Sequence, residues 1–447
     1  MESYNKKTSI VVKLVNSIAW VLPIIIKALF EIVYIIKYYP LFGYLGAKYS
    51  PNMDKLLISW IPIIAFLLIW KKKPHSKLYG VFNLLFYISM IPSCSIYWLK
   101  NENSRCFVFI IIYWSVWYIT TLLYDRNGHS RREYLEFHDD YNFKKNALYS
   151  IVYILIAIIV LYSSFRYGGM RLFIRLNDVY SYRLAEDNRM NSMLSYLFSW
   201  CTNFFLPFFL ATHFVNKRWS FFIADTFLLL LCYGIYGNKS MLFSIALVAG
   251  LILLRRMNGL KYAETMIGGF IVIYLIISIF TSNGMFIALG DRILEGPAAG
   301  HYNYFDFFSQ PNHPILLFRE SFLRFLEKSP YNETVSRIIG SSAKYYSGAY
   351  NNMNNGLFSV AFAELGYLGV VLQPIIIVST LHYCLKIMKS CDDLVQYTLL
   401  VMFSLYLQST SYTSWLVTGG LFIGMSFIYM CRRVIIPKTV IRIKFSK

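Results

Sequence analysis

The chain has 447 residues, of which 57% are hydrophobic and only 15% charged. A soluble domain could not cover that much apolar surface, and the apolar residues run in long blocks rather than amphipathic stripes. The formal charge of +20 does not indicate nucleic acid, because Lys and Arg sit in short clusters between the blocks, with no zinc-ligand spacing, basic helix or RNA-binding signature beside them.

The blocks predict an all-α polytopic membrane protein, one integral-membrane domain over residues 1–447. Spans are expected near 14–36, 56–70, 79–98, 106–124, 147–164 and 193–215. The first continues without a small-residue cleavage site, so it reads as a retained span and not a signal peptide. Six more follow near 220–236, 240–254, 264–281, 357–380, 394–411 and 413–431, making about 12 in all. Two connections are large, 165–192 and 282–356, and the second carries short helical patterns around Ile315–Glu327 and Glu333–Ile339. Counted on alternate sides, Lys and Arg favour the side of the two termini by 25 to 17, and outside the two large loops the other side holds only 6. Both termini are therefore expected in the cytoplasm, with the large loops facing outward. Neither large loop contains a cysteine, so no disulfide framework is expected.

Arginines in the first loop run against that bias. Arg166, Arg171, Arg175, Arg183 and Arg189 fall within it, unaccompanied by lysine. Arg171 and Arg175 are four apart, so a helix would present both guanidinium groups on one face, an arrangement suited to phosphate or pyrophosphate. Local pairing is the competing reading for Arg175 with Asp178, Arg183 with Asp187, and Arg189 with Glu186. In the second loop, Asp291, Arg292, Glu295, His301, Tyr302, Tyr304 and Asp306 are crowded together. Aromatic rings suit sugar faces, and Glu295, His301 or Asp306 could accept a hydroxyl proton. Arg319 and Lys239, the latter in the Gly237–Ser240 turn, are further anion candidates. Glu364 lies inside a span and needs a partner or a wet cavity. Lys27 and Glu31, i,i+4 in the first span, are expected to pair. No Asp-x-Asp pair occurs in either large loop, so no metal or other cofactor is expected.

Four features together resemble the bacterial O-antigen polymerases of the Wzy type. They are Tyr180-Ser-Tyr182-Arg183, the Gly237-Asn-Lys239-Ser240 turn, Arg292…Gly296-Pro297…Tyr304-Phe-Asp306-Phe-Phe308, and Asn355-Gly356…Gly366-Tyr-Leu-Gly369. With the alternating topology, the resemblance covers most of the chain. It implies an inner-membrane, GT-C-like glycosyltransferase acting at the periplasmic face without a metal. The donor would be a glycan on undecaprenyl pyrophosphate, moved with inversion to the non-reducing end of a new lipid-linked repeat unit. It further implies Arg166, Arg171, Arg175, Arg183, Lys239, Arg292 and Arg319 on the pyrophosphate, and Tyr182, Tyr302, Tyr304 and Asn355 on the glycan. Membrane lipids, a chain-length regulator and a flippase are the implied partners, and nucleic acid is not.

Two departures refine the resemblance. O-antigen ligases often carry a His-Asn pair before a Gly-x-x-Gly entry, whereas Asn355-Gly356 stands here, which favours a polymerase. The Arg-x10-Gly spacing of some polymerases occurs once, from Arg337 to Gly348. The alternatives are an O-antigen ligase and a lipid-linked oligosaccharide flippase. A flippase would be expected to place its cations within the spans.

Overall fold

The computed structural model describes residues 20–43, 46–70, 76–130, 147–172, 174, 190–257, 259–260, 263–315, 330–341, 352–353 and 355–431. Among these every regular element is helical. In chain order they are α1 (20–42), α2 (Met53–Trp70), α3 (Lys77–Leu99), α4 (Ser104–Ser130), α5 (Ala147–Gly168) and α6 (Ser192–Val215). Then come α7 (Trp219–Tyr236), α8 (Lys239–Arg256), α9 (Ala263–Phe280), α10 (284–308), α11 (Val335–Ser341), α12 (Leu357–Ile387), α13 (Asp393–Gln408), α14 (Tyr412–Leu416) and α15 (Leu421–Met430).

Among the described residues, helix lies at each of the twelve expected span positions, although 14–19 fall outside them, 357–380 is folded at Gly366 and 413–431 is split at 417–420. Six segments are long and apolar enough to cross a membrane, and two shorter apolar helices, Trp219–Ile235 and Thr265–Phe280, accompany them. The chain is a helical membrane protein. An apolar run resolves into helix in that setting because only a helix satisfies its own backbone groups without water. Side chains cap many of the starts: Ser76 accepts from Tyr79 N, Asn191 from Leu194 N, and Asp392 from Leu394 N. Gly237 ends α7 at φ 62°, and α8 begins two residues later.

The central helix is α3, 94% buried, while α5 is only 28% buried and belongs to the rim. Leu57 and Leu68 of α2, Phe280 of α9 and Leu368 of α12 are exposed on the same apolar perimeter. Aromatic stacking joins the inner helices, with Phe66 on Phe86 at 4.1 Å and Tyr97 on Phe107 at 4.0 Å. Lys27 and Glu31 do pair, and Trp98 Nε1 and Ser95 Oγ also donate to that carboxylate. At the end opposite the 100–103 turn, Lys77 pairs with Asp393 and Arg255 with Asp392. All seven cysteines are free and buried.

Two departures from the expected layout matter for function. The segment 284–308, read as part of an outer loop, is one continuous helix, α10, with its 297–305 stretch buried. The second departure lies in α12, which is not a straight span: it folds back at Gly366 (φ 57°, ψ −139°). Residues eight apart in a helix are about 12 Å apart, yet a Cβ on Gly369 would collide with the Ala361 carbonyl oxygen. Tyr113 of α4 accordingly touches both arms, Phe358 by its ring and Gln373 at 2.9 Å. The arm 357–365 is thus a buried half-helix, and 367–387 runs back along α4. Of the two short helices expected in the second loop, α11 matches the later one, and 316–329 lies outside the described residues.

Candidate functional site

A polar cavity of about 490 Å³ opens where the 100–103 turn joins α3 to α4. Its lining comes from segments distant in sequence: Gly46 and Lys48, Lys55 at the start of α2, Lys100 to Asn103, and Asp306 on α10. The 46–52 strap is held against the end of α3 by Ser50 N donating to the Leu99 carbonyl (2.9 Å) and Asn52 N to that of Trp98 (3.0 Å). Tyr34 of α1 donates to the Lys48 carbonyl at 2.6 Å. Lys55 lies 5.1 Å from the Tyr97 ring centre and donates to the Glu102 carbonyl. Burial lowers its ammonium, and the Glu102 carboxylate partly restores it.

Beside the cavity, Lys100 pairs with Glu295 of α10 at 2.5 Å, both side chains 8% exposed. Burial alone would lower the Lys100 ammonium, but the Glu295 carboxylate overrides it and holds the lysine charged. Asp291, one helical turn from Glu295, is pushed well above the usual carboxylate range, first by burial and then by the Glu295 charge. With Lys100 held by Glu295, the cavity balances Lys48 and Lys55 against Glu102 and Asp306. Carboxylates and amides in such a balance suit the hydroxyl edges of a sugar better than a highly charged anion.

A second, apolar groove of about 410 Å³ lies between α8, α9 and α13. Phe243, Leu251, Ile267, Phe270 and Leu405 line it, and Leu289, Gly290, Ile293 and Leu294 of α10 close one end. One helix therefore borders both spaces: the groove at 289–294 and the cavity at Asp306.

The expected site residues separate into three groups. Asp306 lines the cavity. Glu295 is committed to Lys100, so it is not a free base. His301 is buried, and both ring nitrogens are occupied, Nε2 by Ser89 Oγ (3.0 Å) and Nδ1 by Ser359 Oγ (2.7 Å). That corrects its reading as a base, because no substrate hydroxyl can reach it. Tyr302 and Tyr304 are corrected similarly: both are buried, donating to the Ser93 and Met353 carbonyls (2.8 and 2.9 Å), so neither ring is a sugar platform. Asn355 is buried and donates to the Pro297 carbonyl (3.0 Å) and Ser359 Oγ (2.8 Å).

Among the described residues, none of the arginines expected on the pyrophosphate (Arg166, Arg171 and Arg292) lines the cavity. Arg166 is exposed with its guanidinium 5.7 Å from the Tyr167 ring, and the Arg171 backbone packs on Gly234 of α7. Arg292 is exposed on α10 beside the groove-lining Ile293, and Lys239 is half-buried at the start of α8. Arg175, Tyr182, Arg183, Arg189 and Arg319 lie outside the described residues. The sequence reading overlooked Lys48, Lys55, Lys100 and the Asn101–Asn103 turn. The signal for Lys100 and that turn was a polar run, Lys-Asn-Glu-Asn, between two spans on the side of the large loops.

The fold and the paired spaces define a helical membrane protein with a polar cavity beside an apolar groove. Comparison with known proteins yields no matching family model, no matching curated protein and no matching solved structure.

Proposed function

We propose that the chain is a membrane glycosyltransferase of the O-antigen polymerase kind, moving a glycan from undecaprenyl pyrophosphate to the non-reducing end of a new lipid-linked repeat unit. The observation that carries this reading is the position of α10, which borders an apolar groove at one end and a sugar-suited cavity at the other. A substrate with a long apolar tail and a polyhydroxyl head matches that pair. In this reading the twelve helical positions, the tenth through its 367–387 arm, cross the inner membrane, both termini are cytoplasmic, and the cavity opens to the periplasm.

The chemistry asks little of the leaving group, since pyrophosphate departs readily. The acceptor hydroxyl oxygen attacks the anomeric carbon and its proton passes to Asp306. The anomeric carbon–oxygen bond breaks, and its electron pair stays on the pyrophosphate. Lys48 and Lys55, which line the same cavity as Asp306, supply positive charge where that negative charge develops. Expulsion from the opposite face would invert the anomeric centre.

The test is a lipopolysaccharide gel from a strain lacking the gene, with and without complementation. Collapse of the ladder to one capped repeat unit supports the proposal. Loss of every repeat unit, with lipid-linked intermediates accumulating, overturns it in favour of a ligase or flippase, and the side of accumulation separates those two.

A further inference from the structure

We infer that Gln408 is a positioning residue for this transfer, fixing α10 against α3 and so setting where Asp306 stands in the cavity. The inference rests on the glycosyl-transfer reading above.

Gln408 closes α13 and is buried. Its Nε2 donates to two backbone carbonyls, Ile88 at 3.1 Å and Ile293 at 2.8 Å. Two carbonyl acceptors on one atom identify that atom as the amide nitrogen. Ile88 lies in a π-helical turn of α3, Phe86–Met90, and Ile293 lies in one of α10, Asp291–Glu295. Pro92 and Pro297 stand four residues after Ile88 and Ile293 and have no N–H, so neither carbonyl has its usual helical donor, and among apolar helices each needs another. One side chain serves both helices.

The same residue also fixes the half-helix of α12. The Gln408 carbonyl accepts from Gly356 N at 3.0 Å. Any Cβ at 356 would strike the Leu407 and Thr410 carbonyl oxygens, so only glycine allows the approach. Ser359 and Asn355 then reach from that half-helix to His301 and Pro297 of α10. Helix α10 is thus pinned at 293 and at 297–301, and again by Tyr302 on Ser93 and Tyr304 on Met353, two residues before Asp306. A shift of α10 that moved Asp306 by about 1 Å would cost on the order of a hundredfold in rate. Gln408 is not among the residues lining the cavity, so it acts through α10.

The test uses the full-length protein in detergent. Because all seven native cysteines are buried, Asp306→Cys and Asn103→Cys report separately on α10 and on the 100–103 turn through their labelling by a bulky water-soluble maleimide. Gln408→Met, a donor-free side chain of similar size, is expected to change labelling at 306 roughly tenfold while labelling at 103 and at the native cysteines stays constant. In otherwise wild-type protein it should lower kcat roughly ten- to a hundredfold with KM within about twofold. Ser89→Ala, which removes one hydroxyl under His301, should move both readings the same way but less, and it is read alone if Gln408→Met does not accumulate. Unchanged labelling at 306 in the variant that folds overturns the inference, as does a change shared equally by 103. The labelling needs no substrate, so an inactive wild-type protein would count against the glycosyl-transfer reading and leave the positional result standing.

Discussion

Asp306 and His301 stand five residues apart on one helix, yet their surroundings are opposite. His301 is enclosed by Ser89 and Ser359, each ring nitrogen occupied. Asp306 faces a cavity shared with Lys48, Lys55, Glu102 and two asparagines. A satisfied buried network rigidifies, whereas polar groups around an open space remain available to a ligand. Chemical aptitude does not locate a site: the histidine is the more usual proton acceptor, but the aspartate lines the cavity.

Four substitutions sharpen that contrast. The largest effect is expected at the cavity, where Asp306→Asn should reduce glycan transfer roughly 10²- to 10⁴-fold with abundance and melting temperature unchanged. Activity within twofold of wild type would remove Asp306 from the chemistry. Lys100→Met comes next, because it leaves Glu295 buried without its partner. A destabilisation of about 3–5 kcal/mol is expected, with Lys100→Met/Glu295→Leu recovering much of it in thermal melts. A single variant as stable as wild type would mean the pair is already hydrated.

His301→Ala should act on stability instead of turnover. It opens a void and leaves two buried hydroxyls short of a partner, at a cost of about 2–4 kcal/mol. Normal melting with abolished transfer would restore the histidine to a chemical role. The smallest effect concerns Asp291, whose folded-state carboxyl is raised by burial and by Glu295. A raised acid binds its proton more tightly in the folded state, so its stability contribution is complete below about pH 4 and declines as pH rises toward the folded value. Asp291→Asn should therefore gain about 2 °C in melting temperature over wild type at pH 8 and little at pH 4. Equal gains at both pH values would contradict the shift.

The helical layout was legible because most apolar blocks are long, although 56–70 and 240–254 are short and 413–431 is broken at Gly419-Gly420. The Lys27–Glu31 pair was legible from its spacing alone. Helix α10 was not, since Gly290, Gly296, Pro297 and Gly300 read as loop punctuation. Folded, the small residues permit close approach: Gly300 packs on the Asn355 amide and Gly290 on Tyr38 and Tyr274. The reversal at Gly366 was equally hidden, because a glycine inside an apolar run carries no mark of its φ. The cavity was half legible. Asp306 stood in a conspicuous acidic and aromatic string, but Lys48 and Lys55 come from one connection and Lys100 from another, which only the packing of α2 and α3 brings together. Density of charge in sequence pointed to the arginines, and convergence in space points to the lysines.

The most direct measurement is to incubate the purified protein, and separately its Asp306→Asn variant, with a synthetic single repeat unit on a short polyprenyl pyrophosphate, and to size the products. The account predicts a ladder of lipid-linked multiples from the wild-type protein and only the starting repeat unit from a folded variant. No ladder from folded wild-type protein, or equal ladders from both, would contradict it.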